Sequence, residues 1–150
     1  MKIISHRGNV NGRVPQEENN PSYVESAIRM GYDVEVDVWS IDGTFYLGHD
    51  EPQYEVTSYW LNASPIWCHA KNKDALSHLI SIGAHCFWHE TDRFTFTSRG
   101  FVWAYPDNFI SGGVTVVLSS PQDANIPSDL YGICTDYSLP WSEITDRNIR

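Results

Sequence analysis

Asp33-Val34-Glu35-Val36-Asp37-Val38-Trp39-Ser40, then Ile41-Asp42-Gly43-Thr44 and Phe45-Tyr46-Leu47-Gly48, is the stretch that decides how this chain folds. Acidic and apolar residues alternate over 33–40 with a period of two, the mark of a strand with unlike surroundings on its two faces. Asp42-Gly43 is a strong hairpin signal, so residues 45–48 run back along that strand. Val34, Val36 and Val38 share one face and predict a core there. Glu35 and Asp37 share the other. With valines opposite them, they predict an enclosed polar centre rather than a solvent-facing acidic edge.

Working outward, Lys2 to Ser5 opens a short strand that ends in a turn at Gly8, and residues 9–20 form a polar loop. A helix starts at Pro21 or Ser22 and runs through Met30, with Gly31 placed to stop it. Pro65 to His69 is the next strand. Asn72 to Gly83 reads as a second helix, with Ala75, Leu76, Leu79 and Ile80 on one face. Strand-like runs follow at 84–89, 94–97, 101–105, 114–119 and 131–135. The first half alternates strand and helix around one hairpin, which implies a parallel α/β sheet. The second half loses that rhythm, because 105–114 and 120–131 are too short and too rich in Gly, Pro, Asp and Asn for full crossover helices. Nothing reads as an inter-domain linker, so 1–150 is taken as a single domain.

The formal net charge of −9 argues against nucleic acid, which needs a basic face, and against anionic membrane surfaces. An anionic substrate remains compatible if the site itself is positive, since nearby charge outweighs distant screened charge. Cys68, Cys86 and Cys134 are odd in number and each lies in an apolar strand-like run, which predicts buried reduced thiols and no disulfide framework. Residues 1–5 are too short and too polar afterwards for a secretory signal, and no run approaches the ~18 apolar residues of a membrane span. Together these give the expectation of a cytoplasmic protein without a membrane span. Six Trp and eight Tyr furnish either a core or a cleft lined by rings.

Two carboxylates on one strand face are a natural seat for a hard cation such as Mg²⁺ or Ca²⁺. His6 and His49 each follow a strand and open a polar turn, and histidine is the usual proton carrier near neutral pH. Arg7 can fork onto two phosphate oxygens or onto a carboxylate such as Glu18. The run Ala84 to Asp92 holds two His, a Cys and two acids, but its mixed faces make a separate zinc site weak; His89 can instead reach the pocket. Trp103 and Tyr105 share a face and can serve as a substrate wall or as core.

Taken in order, His6-Arg7-Gly8, Glu18-Asn19, Glu35-Val36-Asp37-Val38, Asp42-Gly43 and His49-Asp50 resemble the motifs of the glycerophosphodiester phosphodiesterase family. Related metal-dependent phospholipase D toxins share a looser form of the pattern. The resemblance implies a TIM-type (β/α) barrel with its site at the C-terminal strand ends. It implies that Glu35 and Asp37 bind one divalent cation, that His6 and His49 act as general base and acid, and that Arg7 holds the phosphate. Glu18 would orient these groups. The family's usual course is attack by a neighbouring substrate hydroxyl on phosphorus, giving a cyclic phosphate that water then opens.

Beyond residue 50 the likeness thins. Where the family carries E-x-K, this chain has His69-Ala70-Lys71: Lys71 fits near the phosphate, and His69 stands where a third metal-binding glutamate is expected. Imidazole in that place tolerates Mn²⁺ or Zn²⁺ better than a third carboxylate would. Gly132-Ile133-Cys134-Thr135-Asp136 resembles the family's last strand. The chain is shorter than the ~250 residues typical of the fold. The expectation is therefore α/β: a reduced TIM-type barrel lacking several outer helices, its bare strand faces covered by a second copy in a homodimer. The function it implies is a metal-dependent phosphodiesterase hydrolysing a small glycerol-type phosphodiester. Two alternatives are a non-catalytic phosphate-binding module on a decayed barrel and a toxin-like lyase that stops at the cyclic phosphate.

Overall fold

The structure, a computed structural model, describes residues 1–147. In chain order the elements are β1 (Lys2–His6), α1 (Pro21–Arg29), β2 (Asp33–Ile41), β3 (Thr44–Leu47), β4 (Tyr54–Val56), α2 (Ser58–Leu61), β5 (Ile66–Ala70), α3 (Lys73–Ser81), β6 (Cys86–Trp88), β7 (Phe94–Phe96), β8 (Val102–Ala104), β9 (Val114–Val116), β10 (Gly132–Thr135) and α4 (Ser138–Arg147). The strands form one mixed ten-stranded sheet.

β2 is the hub. Its first half pairs in parallel with β1 on one side, His6 opposite Glu35, and with β5 on the other, Asp37 opposite His69. Its second half turns through Asp42 (φ 50°) and Gly43 (φ 82°) into antiparallel β3. Two consecutive positive φ angles match the right-handed twist of a two-residue hairpin, as the Asp-Gly pair predicts. β1 continues in parallel to β10, β9 and β8, and β7 closes the far edge antiparallel to β8.

The alternation of β2 sorts its side chains as its sequence foretells. Val34, Val36 and Val38 are buried on the convex face with Val24 and Ala27 of α1 and Ala75 and Leu79 of α3. The concave face holds a second apolar layer of Ile4, Trp67, Phe87, Trp103, Val114 and Cys134. α1 is capped by Asn20, whose side chain accepts from Ser22 N–H, with Pro21 at its first turn. Asn72 caps α3 by accepting from Ala75 N–H, and its amide also donates to Ser40 O, tying the helix start to β2. All three cysteines are buried and free. Among the described residues no helix is long and apolar enough to cross a membrane.

The expected reduced TIM-type barrel is not what forms. Among the described residues the sheet is a strand-rich half-barrel with four short helices rather than a ring of strands each followed by a helix. The cause lies in the connections. After α3, the segments 89–93, 97–101, 105–113 and 117–131 carry no helix, and a helical crossover with its helix needs at least ~10–12 residues of helix-forming chain. β7 turns back antiparallel instead, and β3 and β4 extend the sheet by hairpins. The sequence reading also missed β4, α2 and α4; Pro140 in the first turn of α4 hid an otherwise helical run.

Candidate functional site

The C-terminal ends of β1 and β5 and the first half of β2 between them deliver the acidic and basic residues to one end of the concave face. Glu35 and Asp37 are 2% and 0% exposed. Their neighbour across β2 and β5 is His69, whose ring stacks on Phe87 with centroids 5.1 Å apart and planes 10° apart. His69 Nε2 donates to the carbonyl oxygen of His89 at 2.8 Å, because a carbonyl can only accept. That leaves His69 Nδ1 facing Asp37 Oδ1 at 3.2 Å and Glu35 Oε1 at 3.7 Å. One ligand atom from each of Glu35, Asp37 and His69 lies within 4.8 Å of the others. Among the described residues Glu35 Oε2 is buried without a hydrogen-bond partner, and Asp37 Oδ1 meets only the His69 ring and the Lys71 ammonium. Two buried carboxylates converging with an imidazole whose other nitrogen is fixed by a carbonyl fit a divalent cation in donor chemistry.

Cations compensate this buried acid. Arg7 Nε lies 2.9 Å from Asp37 Oδ2, Arg7 Nη1 donates to Glu18 Oε2 at 3.1 Å, and Lys71 Nζ is 3.8 Å from Asp37 Oδ1. Asn19 grips Asp37 twice, its amide donating to Oδ2 and its carbonyl oxygen accepting from the Asp37 backbone N–H, both at 2.9 Å. Burial alone would push the Asp37 carboxyl up; the His69 hydrogen bond and the charges of Arg7, His69 and Lys71 outweigh it and hold it well below the usual range. Burial likewise pulls the His69 ring down, and its bonds to Asp37 and Glu35 reverse that and lift it to about 9. Burial opposes the charge on Arg7 too, but Asp37 and Glu35 raise its pKa.

Glu18 is the post on which the loop hangs. It accepts from Arg7, from Asn9 Nδ2 at 3.0 Å and from Arg13 Nε at 2.9 Å. Burial pushes its carboxyl up, and the bonds from Arg13, Asn9 and Arg7 bring it below its ordinary value. Arg7 (φ 55°) and Asn19 (φ 63°) both take left-handed backbone, and Asn19 N–H donates to Arg7 O at 3.1 Å. Strain of this kind, on the order of 1–3 kcal/mol per residue, persists where surrounding bonds over-determine it. Gly8 (φ 94°) follows because a Cβ there would stand 2.7 Å from the Tyr23 ring.

His6 Nδ1 lies 2.8 Å from Asp136 Oδ1, which also accepts from Asn9 Nδ2 at 2.8 Å. Burial would raise the Asp136 carboxyl, but the bond to His6 and its charge lower it, so Asp136 accepts and His6 Nδ1 carries the proton. His6 Nε2 then faces Glu35 Oε2 at 3.9 Å, beyond hydrogen-bond reach. His49 follows β3 at the rim of the same cavity, 43% exposed in its side chain, with Nδ1 2.7 Å from Asp50 Oδ1. Its loop is set by Gly48, whose carbonyl accepts from Trp39 Nε1 at 2.7 Å.

The structure thus gathers Glu35, Asp37, His69, His6, Arg7, Lys71 and Glu18 into one bonded group and leaves His49 at its edge. All but Asp37 and Glu18 line a cavity of about 380 Å³. Sequence reasoning missed Asp136 and Asn9 as members. A carboxylate directly after the last strand was the available signal for Asp136; an asparagine three residues after His6 gave none. His89 does reach the cavity, with both ring nitrogens buried and unpartnered. No protein-family model, curated protein or solved structure matches this chain.

Proposed function

We propose that this chain is a metal-dependent phosphodiesterase acting on a small glycerol-type phosphodiester. One observation carries the reading: the buried carboxylates of Glu35 and Asp37 converge with His69 on one point, each offering an atom within 4.8 Å of the others, while Glu35 Oε2 is unpartnered and His6 Nε2 stands 3.9 Å from it. Glu35, Asp37 and His69 would hold one divalent cation, Mg²⁺, Ca²⁺ or Mn²⁺, with Zn²⁺ also suited to the imidazole; when bound it would supply positive charge to the phosphoryl oxygens. The five ordered motifs of residues 6–50 support the same reading.

The chain's own groups do the rest. Arg7 and Lys71 set positive charge against the phosphate, and Glu18 and Asp37 fix the guanidinium so that it need not reorganise. Asp136 holds the His6 Nδ1–H, so the Nε2 lone pair points into the cavity to take the proton of an attacking hydroxyl. His49, oriented by Asp50, gives a proton to the departing alcohol from the rim. The three buried free thiols accord with a reducing, cytoplasmic setting. Phe94 and Phe96, exposed on β7, accord with a homodimer.

A second reading, an anion-binding module without turnover, draws on His69. Held charged by Asp37 and Glu35, that ring can do for local charge what a cation would. Purified protein with Mg²⁺, Mn²⁺, Ca²⁺ or Zn²⁺ on a panel of glycerophosphodiesters separates the two. Hydrolysis that His6→Ala and His49→Ala each abolish, with their thermal melts intact, is the expected result. Parent rates in both variants refute the roles given to the histidines, and phosphate binding without product under every metal favours the binding module.

A further inference from the structure

The cavity has two unlike walls. β1, β2 and β5 supply the charged one. Across from it, β6, β8 and β9 and the residues just after them supply carbon: Phe87, Trp103, Tyr105, Val116 and Leu118. Phe87 and Trp103 are 2% exposed and stack with centroids 4.4 Å apart, which makes a fixed floor. Tyr105 and Leu118, at 47% and 43%, remain open at the mouth. The period of two puts Tyr105 on the face of Trp103 and Leu118 on that of Val116, so the wall follows from strand register and is not a chance grouping. Large apolar side chains left open inside a polar cavity mark a ligand surface. Beside them His89, its ring 5.3 Å from that of Tyr105, keeps both nitrogens buried and unpartnered, as a group awaiting a bound molecule would.

We infer that this wall receives the carbon skeleton of one of the two alcohols of the phosphodiester, so that the preferred substrates join glycerol to an apolar ring or short alkyl group. The place given to the phosphate rests on the phosphodiesterase reading; the wall does not. A volume of about 380 Å³ lies at the small end of the ~300–1,000 Å³ of ligand pockets. It suits a ring-sized ester and not a long acyl chain.

The test uses the benzyl and methyl esters of glycerol phosphate, whose leaving alcohols are alike in acidity. The wall predicts kcat/KM about thirtyfold or more in favour of benzyl. Tyr105→Ser and Leu118→Asn, both at the open mouth, should each cut that ratio by roughly tenfold. In parallel, benzylphosphonate and methylphosphonate are titrated against the intact protein by tryptophan fluorescence, which needs no turnover. Hydrolysis of both esters at a ratio near one overturns the inference and leaves the phosphodiesterase reading standing. No hydrolysis, but tighter binding of benzylphosphonate that the two variants abolish, overturns the enzymatic reading and leaves the wall standing. If neither phosphonate is preferred and neither ester is cleaved, both fall.

Discussion

Replacing Asp136 by Asn probes the catalytic core of the account with the least disturbance of shape. The carboxylate is 5% exposed and its Oδ1 accepts from both His6 Nδ1 and Asn9 Nδ2 at 2.8 Å. An amide of the same volume can keep its oxygen on those two donors, so the fold survives. What is lost is the formal charge that steadies His6 when it takes a proton. A hydrogen bond to a charged partner is worth ~1.5–3 kcal/mol net. At ~1.4 kcal/mol per decade of rate, kcat on a glycerophosphodiester should fall roughly 10- to 150-fold. Steady-state kinetics with saturating Mn²⁺ read the rate, and circular dichroism melts check the fold. A variant that melts like the parent and turns over within twofold of it refutes the role of His6 as an oriented base.

Three further outcomes follow from other parts of the molecule. His69 is held up to about 9, so a cation must displace a proton from it, and apparent Mn²⁺ affinity should rise about tenfold per pH unit between pH 6 and 8; calorimetry showing a flat profile excludes His69 as a ligand. His85, its ring tilted 41° against that of Trp67 with centroids 4.0 Å apart and bonded to Thr97, is pushed down to about 4 by burial and by Arg99. The unfolded ring takes its proton near ~6.5, so stability present at pH 7 is lost as pH falls from there toward 4, by at most about 3 kcal/mol. Urea unfolding at pH 7 and pH 4.5 should show a smaller acid loss in His85→Gln than in the parent, and equal losses rule the ring out. Gly48→Ala would drive a Cβ to 1.9 Å from Glu51 O at φ 151°, so the loop bearing His49 must shift. Activity should drop at least tenfold while stability falls by about 1–3 kcal/mol; unchanged turnover shows that His49 plays no part.

The reach of the sequence varied with how local each signal was. Glu35 and Asp37 were legible because alternation with three valines fixes their face whatever the rest of the chain does. The turn at Asp42-Gly43 and the helix starts at Asn20-Pro21 and Asn72 were legible because a cap or a positive φ is a local demand. The half-barrel was not, since it depends on which strands pair after α3. There β6 to β9 are three residues long and β10 four, too short for periodicity to report a partner. Resemblance over residues 6–50 carried the expectation of a barrel, even one reduced in its outer helices, into a region whose strands form a half-barrel instead. Asp136 shows the same limit in the site: its bond to His6 spans 130 positions and arises only because β1 lies beside β10.

Everything functional here depends on a cation seated between Glu35, Asp37 and His69, beside His6. Anomalous diffraction from crystals soaked in Mn²⁺ tests this directly. The account predicts a peak about 2.0–2.4 Å from a carboxylate oxygen of Glu35, one of Asp37 and Nδ1 of His69. Peaks confined to exposed surface carboxylates, with none at this cluster, would contradict it.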